Sequence, residues 1–314
     1  MNDNTPPSGK RRERSAVGPI HAQHKHGPQP PRLKWLRLAF GLGRLAPGLA
    51  ARIADRVWCS VPHYPPPQRE QGWAESARGE TLDTGQGTIT TYQWGEPARP
   101  PVLLLHGWAG RATQMYAFID PLLHAGYRVV AFDAPAHGES SGRQTNFLEM
   151  IHALGVVNDS YGPFEGVIAH SFGVPVSMRA LYEGHLQTSA VVGISPPFDL
   201  VGMIDRFCAM LNISPTIKEH LRRRITRRLG KQVWERFRVD TIAGQLDTPA
   251  LIIHDENDRE VDIDQARQAA AHWPGARLVV TRGLGHRRIL RAKDVVESAV
   301  TFIAEDGEKV ASNA

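Results

Sequence analysis

The pentapeptide Ala169-His170-Ser171-Phe172-Gly173 sets a serine between an apolar run, Gly166 to Ala169, and a helix-like stretch that begins at Gly173. A strained strand-to-helix turn of this kind lifts a serine oxygen clear of its backbone, and small residues at 169 and 173 let strand and helix approach closely. Ala169 stands where glycine is usual, an addition of one methyl group. A serine hydroxyl is a poor nucleophile without a base in hydrogen-bond reach, and that base needs a third group to orient it. His286 is the candidate base, because Gly283-Leu284-Gly285-His286 follows the last apolar run and its glycines let the imidazole swing over the site. Asp255 and Asp258 compete for the third role. Asp255 comes directly off its apolar run and reads as a turn former, whereas Asp258, three residues on, projects towards the histidine loop and is the expected orienter. His170 adjoins the serine and is expected to point elsewhere. His106 and His137 each precede a glycine in a loop and read as turn-stabilising residues.

These residues need a scaffold that brings distant loops to one edge. Candidate strands fall at 80–84, 88–94, 102–105, 128–132, 166–169, 191–195, 250–254 and 277–281, with helix-like stretches at 112–125, 144–158, 173–186, 262–273 and 290–304. Short continuous Val/Ile/Leu runs alternating with helices predict a parallel sheet covered on both faces. In such a sheet, ligands sit beyond the carboxyl ends of the strands. The loops after 105, 169, 254 and 281, which hold His106-Gly107-Trp108, Ser171, Asp258 and His286, lie at those ends.

From about residue 79 to 305 the chain resembles the α/β-hydrolase superfamily. The resemblance is carried by His106-Gly107-Trp108, Asp133-Ala134-Pro135-Ala136-His137-Gly138-Glu139-Ser140, the pentapeptide around Ser171, Asp258 and His286, in the order serine, acid, histidine. It implies an α/β fold with a mostly parallel eight-stranded sheet, helices on both faces and a helical cap inserted at about 197–246. It also implies an oxyanion hole made by the backbone N–H groups of Trp108 and Phe172. Such donors meet the charge that develops on an attacked carbonyl oxygen. The expected chemistry is a serine hydrolase cleaving a carboxylic ester or thioester, with no metal or organic cofactor. Carbon–carbon bond hydrolysis, lactone opening and acyl transfer use the same triad, and fold does not choose among them. Haloalkane dehalogenation would want a carboxylate at position 171. Apolar cap residues, with Trp108 and Phe172, point to an apolar acyl or aryl group on the substrate.

Composition narrows the partners. Of the 37 Lys and Arg and 32 Asp and Glu, 11 and 3 fall in residues 1–60, so residues 61–314 hold 26 against 29, a net of −3. A nucleic-acid enzyme would carry its positive excess on the folded domain that grips phosphates, so nucleic acid is not an expected substrate. Residues 1–31, rich in Pro, Arg and Lys, have little apolar surface to bury and are expected to be a disordered tail, with His21, His24 and His26 forming no metal cluster. Arg11-Arg12 precedes no apolar stretch, so no export signal is read and a cytoplasmic location is expected.

Residues 32–67 form an extension ending in Pro65-Pro66-Pro67, ahead of a hydrolase domain over 68–314. Within it Leu33, Leu36 and Phe40, then Leu45, Leu49, Ile53 and Val57, recur at helical spacing, while Arg37, Arg44, Arg52 and Arg56 exclude a bilayer span. The stripe is expected to pack on its own catalytic domain. A peripheral contact of residues 32–58 with an anionic membrane or a protein partner is the alternative, and with it the function of another class, a membrane- or partner-binding scaffold with a vestigial hydrolase site. The cap arginines Arg222, Arg223, Arg224, Arg227 and Arg228, with Lys231, read as a solvated helix face rather than a recruiter of acidic substrates. Oligomeric state is not legible.

Overall fold

The run Val102-Leu103-Leu104-Leu105 is apolar at every position, so both of its faces must be covered. In a computed structural model, which describes residues 31–312, this run is the heart of β3 and all four side chains are buried. Eight strands form one sheet: β1 (Arg78–Asp83), β2 (Thr88–Trp94), β3 (Pro101–Leu105), β4 (Arg128–Phe132), β5 (Gly166–His170), β6 (Val191–Ile194), β7 (Ala250–Asp255) and β8 (Arg277–Thr281). The spatial order is β1-β2-β4-β3-β5-β6-β7-β8. β2 runs antiparallel to both β1 and β4, and every other pairing is parallel.

Period-two alternation divides the core into two layers. Leu103, Leu105, Val130, Phe132, Val167, Ala169 and Ile252 face one layer, built from α5 (Phe147–Tyr161), α6 (Gly173–Tyr182) and α11 (Ile263–His272). Val102, Leu104, Val129, Ala131, Ile168, Val192 and Ile253 face the other, where α4 (Ile119–His124) and α13 (Lys293–Ser312) lie. The expected helix at 112–125 begins instead as a 3-10 segment, Ala112–Phe118, before α4.

Four further helices separate β6 from β7: α7 (Leu200–Met210), α8 (Pro215–Leu229), α9 (Val233–Arg236) and α10 (Val239–Ile242). Ser214 caps α8 by accepting from the Ile217 N–H, with Pro215 at the first turn, where its missing N–H costs nothing. Ahead of the sheet come α1 (Pro31–Leu42), α2 (Pro47–Cys59) and α3 (Gln68–Ser76), the last of which the sequence pattern did not suggest. The tail over residues 1–30, with His21, His24, His26 and Arg11-Arg12, lies outside the described residues.

α2 packs on α8, but not through the residues that its large apolar pattern indicated. Ala50, Ala51 and Ala54 are buried there, while Leu45, Leu49 and Ile53 face solvent. Only Leu36, Phe40 and Val57 of the described stripe turn inward. The cap arginines also depart from a uniformly solvated face. Buried Asp55 accepts from Arg228 Nη2 at 2.9 Å and pairs with Arg224 Nη2 at 3.5 Å, and Arg222 stacks on the Trp234 ring at 5.0 Å.

Candidate active site

β5 ends at His170 and α6 begins at Gly173, so Ser171 has to turn the chain within two residues. It does so with φ +50°, in the left-handed region that side chains rarely adopt, a strain that clusters at functional sites. The turn is over-determined: the Ser171 N–H donates to Ile194 O at 2.8 Å and the Val174 N–H to Ser171 O at 2.9 Å. Two glycines permit it. A Cβ at Gly173 would sit 2.7 Å from His106 O, and one at Gly107 would sit 2.7 Å from Ser171 Cβ and 3.3 Å from Phe172 N.

Ser171, Asp258 and His286 arrive from three different loops and meet. His286 Nδ1–H donates to Asp258 Oδ2 at 2.7 Å, leaving Nε2 2.9 Å from Ser171 Oγ, placed to accept its proton. The Asp258 side chain is fully buried, and its other oxygen accepts from the Glu260 N–H (2.8 Å) and the Val261 N–H (3.1 Å). Burial pushes its carboxyl pKa up. The hydrogen bond and charge of His286 and those backbone donors outweigh burial, so the net shift is downward. Asp255 points to a different task. It accepts from Thr281 Oγ1 and the Leu284 N–H, each at 2.9 Å, and so ties the end of β7 to the histidine loop.

His170 does not simply point away, as its place beside Ser171 suggested. Its Nε2–H donates to the His286 carbonyl at 2.8 Å, and the two rings lie 4.8 Å apart between centroids. Burial holds its pKa down at about 3, with the charge of His286 adding to the effect, so it acts as a neutral donor. His106 and His137 form a second pair beneath the loop that carries Trp108. His106 accepts from the Ala134 N–H at 3.0 Å and donates to Gly107 O at 2.7 Å; His137 accepts from the Ala109 N–H at 3.0 Å and donates to Pro135 O at 2.9 Å. Desolvation lowers their pKa values to about 4 and about 3, which keeps both rings neutral and each nitrogen in one role. Asp133 accepts from the Ala112 N–H (2.7 Å), the Glu139 N–H (2.9 Å) and Tyr92 O–H (3.0 Å) and locks the neighbouring turn.

Above Ser171 opens a cavity of about 490 Å³. Trp108, Phe147, Phe172 and Phe237 stack edge-on or tilted beside it, with ring centroids 5.1–5.9 Å apart, and α7 adds Met203 and Phe207. Arg206, Glu260 and Arg287 supply charge at its border. Glu260 Oε2 also lies 3.9 Å from His286 Nε2, a neighbour that the sequence pattern did not single out. Among the described residues, no cluster of three or more His, Cys, Asp or Glu is placed to hold a metal ion.

Residues 102–298, more than half of the 314-residue chain, match the alpha/beta hydrolase family. The chain belongs to the alpha/beta hydrolase family. Its eight-stranded sheet has the fold of that family, with four helices inserted between β6 and β7. Part of the chain is similar to "Epoxide hydrolase B" of Mycobacterium tuberculosis, 36% identical over 110 residues, or 33% of this chain and 31% of that protein. A shorter stretch is similar to a "Probable serine hydrolase" of Drosophila melanogaster, 38% identical over 72 residues, 23% of this chain and 20% of that one. The chain thus spans under a third of the length of these curated relatives. Among solved structures, mouse alpha/beta hydrolase domain-containing protein 10 superposes with a TM-score of 0.59 at 15% identity, covering 74% of this chain and all of that one, a likeness of fold alone.

Proposed function

We propose that the chain is a serine hydrolase that cleaves carboxylic esters or thioesters through an acyl-enzyme. The observation that carries this reading is the line Asp258 Oδ2, His286 Nδ1 and Nε2, Ser171 Oγ, with spacings of 2.7 and 2.9 Å, at a strained turn. In the first half-reaction Ser171 Oγ attacks the carbonyl carbon while its proton passes to His286 Nε2. Asp258 holds the ring and stabilises the imidazolium. The Trp108 and Phe172 N–H groups meet the oxyanion. The tetrahedral intermediate collapses as His286 returns the proton to the leaving oxygen or sulfur. Water then gives a proton to His286 as it attacks the acyl-serine, and the second tetrahedral intermediate releases the acid as His286 returns that proton to Ser171 Oγ. The aromatic and aliphatic lining of the cavity supports an apolar acyl or aryl group.

The name of the Mycobacterium relative raises epoxide opening as a rival. A serine that opened an epoxide would become an ether, which water does not cleave readily. A carboxylate would become a hydrolysable ester, and position 171 holds no carboxylate. A fluorophosphonate probe should label the wild type and leave Ser171→Ala unlabelled. A folded wild type that resists the probe overturns the reading. An acyl-chain series of p-nitrophenyl esters and acyl thioesters then separates ester from thioester preference.

A further inference from the structure

Among the described residues eleven large apolar side chains are exposed, and six of them fall within residues 35–53: Trp35, Leu38, Leu42, Leu45, Leu49 and Ile53. Trp35, Leu38 and Leu42 share one face of α1 at i, i+3 and i+7. Leu45, Leu49 and Ile53 continue it at every fourth residue, with Leu45 91% and Trp35 70% exposed. The opposite faces hold Phe40, Ala50, Ala51 and Ala54, all buried, so α1 and α2 have already spent one side on their own fold. A second apolar face on such helices marks an interaction surface.

Charge selects the occupant. Lys34, Arg44, Arg52 and Arg56 are exposed around this face, and the one carboxylate of residues 31–59, Asp55, is buried against Arg228. An apolar face rimmed only by cations suits an anionic bilayer, in which leucines enter the acyl boundary while guanidinium groups remain at the phosphates. Residues 1–30 bring Lys10, Arg11, Arg12, Arg14 and Lys25, which would repel that rim rather than cover it. A second copy would set cation against cation.

α2 also walls the cavity. Val57 and Trp58 line it, and Trp58 packs edge-on against Phe207 of α7 at 5.2 Å. Met210 lines the cavity yet is 48% exposed, and its carbonyl accepts from Arg37 Nε of α1 at 2.7 Å. Val57 follows exposed Ile53 by one helical turn, so α2 carries apolar side chains from its outer face to the cavity wall. We propose that the α1–α2 face docks the enzyme on an anionic bilayer, from which the Ser171 cavity draws a lipophilic acyl ester. Substrate extraction rests on the serine-hydrolase reading, and docking does not.

The test is flotation of the full chain with phosphatidylcholine vesicles and with phosphatidylcholine–phosphatidylglycerol vesicles. The wild type should float with the mixed vesicles, less so at high salt. Arg44→Gln/Arg52→Gln/Arg56→Gln should partition about a hundredfold more weakly. Leu45→Ser/Leu49→Ser should lose about tenfold or more. Both variants should keep the far-UV circular dichroism and urea midpoint of the wild type, which shows that they fold, and should keep turnover of a soluble short-chain ester. Equal flotation of wild type and variants, or flotation that ignores lipid charge, overturns docking. So does a dimer in sedimentation that Leu45→Ser/Leu49→Ser dissociates while no vesicle binding occurs. Extraction is read from a long-chain ester held in the vesicles. Its turnover should fall in the leucine variant while the soluble ester is unaffected, and an equal effect on both overturns it. Ser171→Ala should still float, so loss of turnover and loss of docking are separable.

Discussion

In the proposed mechanism Ser171, Asp258 and His286 divide the labour in a way that substitution can resolve. Ser171→Ala should cost on the order of 10⁴- to 10⁶-fold in kcat. Asp258→Asn should cost about 10⁴-fold, since an amide neither fixes the tautomer nor stabilises the imidazolium. Asp255→Asn should instead lower the urea midpoint, by roughly 1–3 kcal/mol of stability, because its bonds hold Thr281 and Leu284 rather than the reacting atoms. If a folded Asp255→Asn enzyme is dead while Asp258→Asn turns over, the two roles are exchanged. Gly107→Ala should cut kcat about 10²- to 10³-fold with the fold intact, because its methyl would press on Ser171 Cβ and Phe172 N, where the oxyanion must sit. That Ser171, Asp258 and His286 meet was legible because each lies in a loop within a few residues of the end of an apolar run. The hold of His170 on the His286 carbonyl was not legible, because two segments separated by 116 residues must close before that bond exists.

At the scale of elements, the docking of α2 on the cap rests on small residues and one buried charge. Alanines let α2 lie close to α8, and Asp55 accepts from two arginines that are about one third exposed. Asp55→Ala would leave both guanidinium groups without that partner. It should cost roughly 1–3 kcal/mol, discounted for the solvent reaching the arginines. Limited proteolysis should then cut between residues 43 and 59 faster, and KM should rise, because Val57 and Trp58 wall the cavity. Unchanged proteolysis would show that apolar packing alone holds the helix. Hydrophobic spacing identified the helices of this extension but misjudged their facing. Large side chains dominate any pattern of apolarity, whereas the side of α2 that is buried carries alanines, Ala50, Ala51 and Ala54.

For the molecule as a whole, neutral buried histidines set a pH dependence. His106, His137 and His170, whose pKa values burial lowers from 6.5 to about 4, 3 and 3, take up protons only on unfolding between those values and 6.5. In that window the unfolded chain binds more protons, so each contributes about 1.4 kcal/mol of stability per pH unit, lost as pH falls below about 6.5. Burial raises the pKa of Asp133 and Glu70, which opposes this nearer their own range. The urea midpoint should therefore drop between about pH 7 and pH 5, and replacing His137 with Gln should flatten the slope. A midpoint constant over that range would contradict neutral burial. The sequence by itself determined the eight strands, the mostly parallel character of their sheet and the three loops that bear Ser171, Asp258 and His286, because strand runs and turn residues are local properties of a chain. Only tertiary structure decided which face of α1 and α2 is buried, which arginines meet Asp55 and that His170 braces His286. Those outcomes depend on the shape and charge of surfaces that exist only once distant segments have packed.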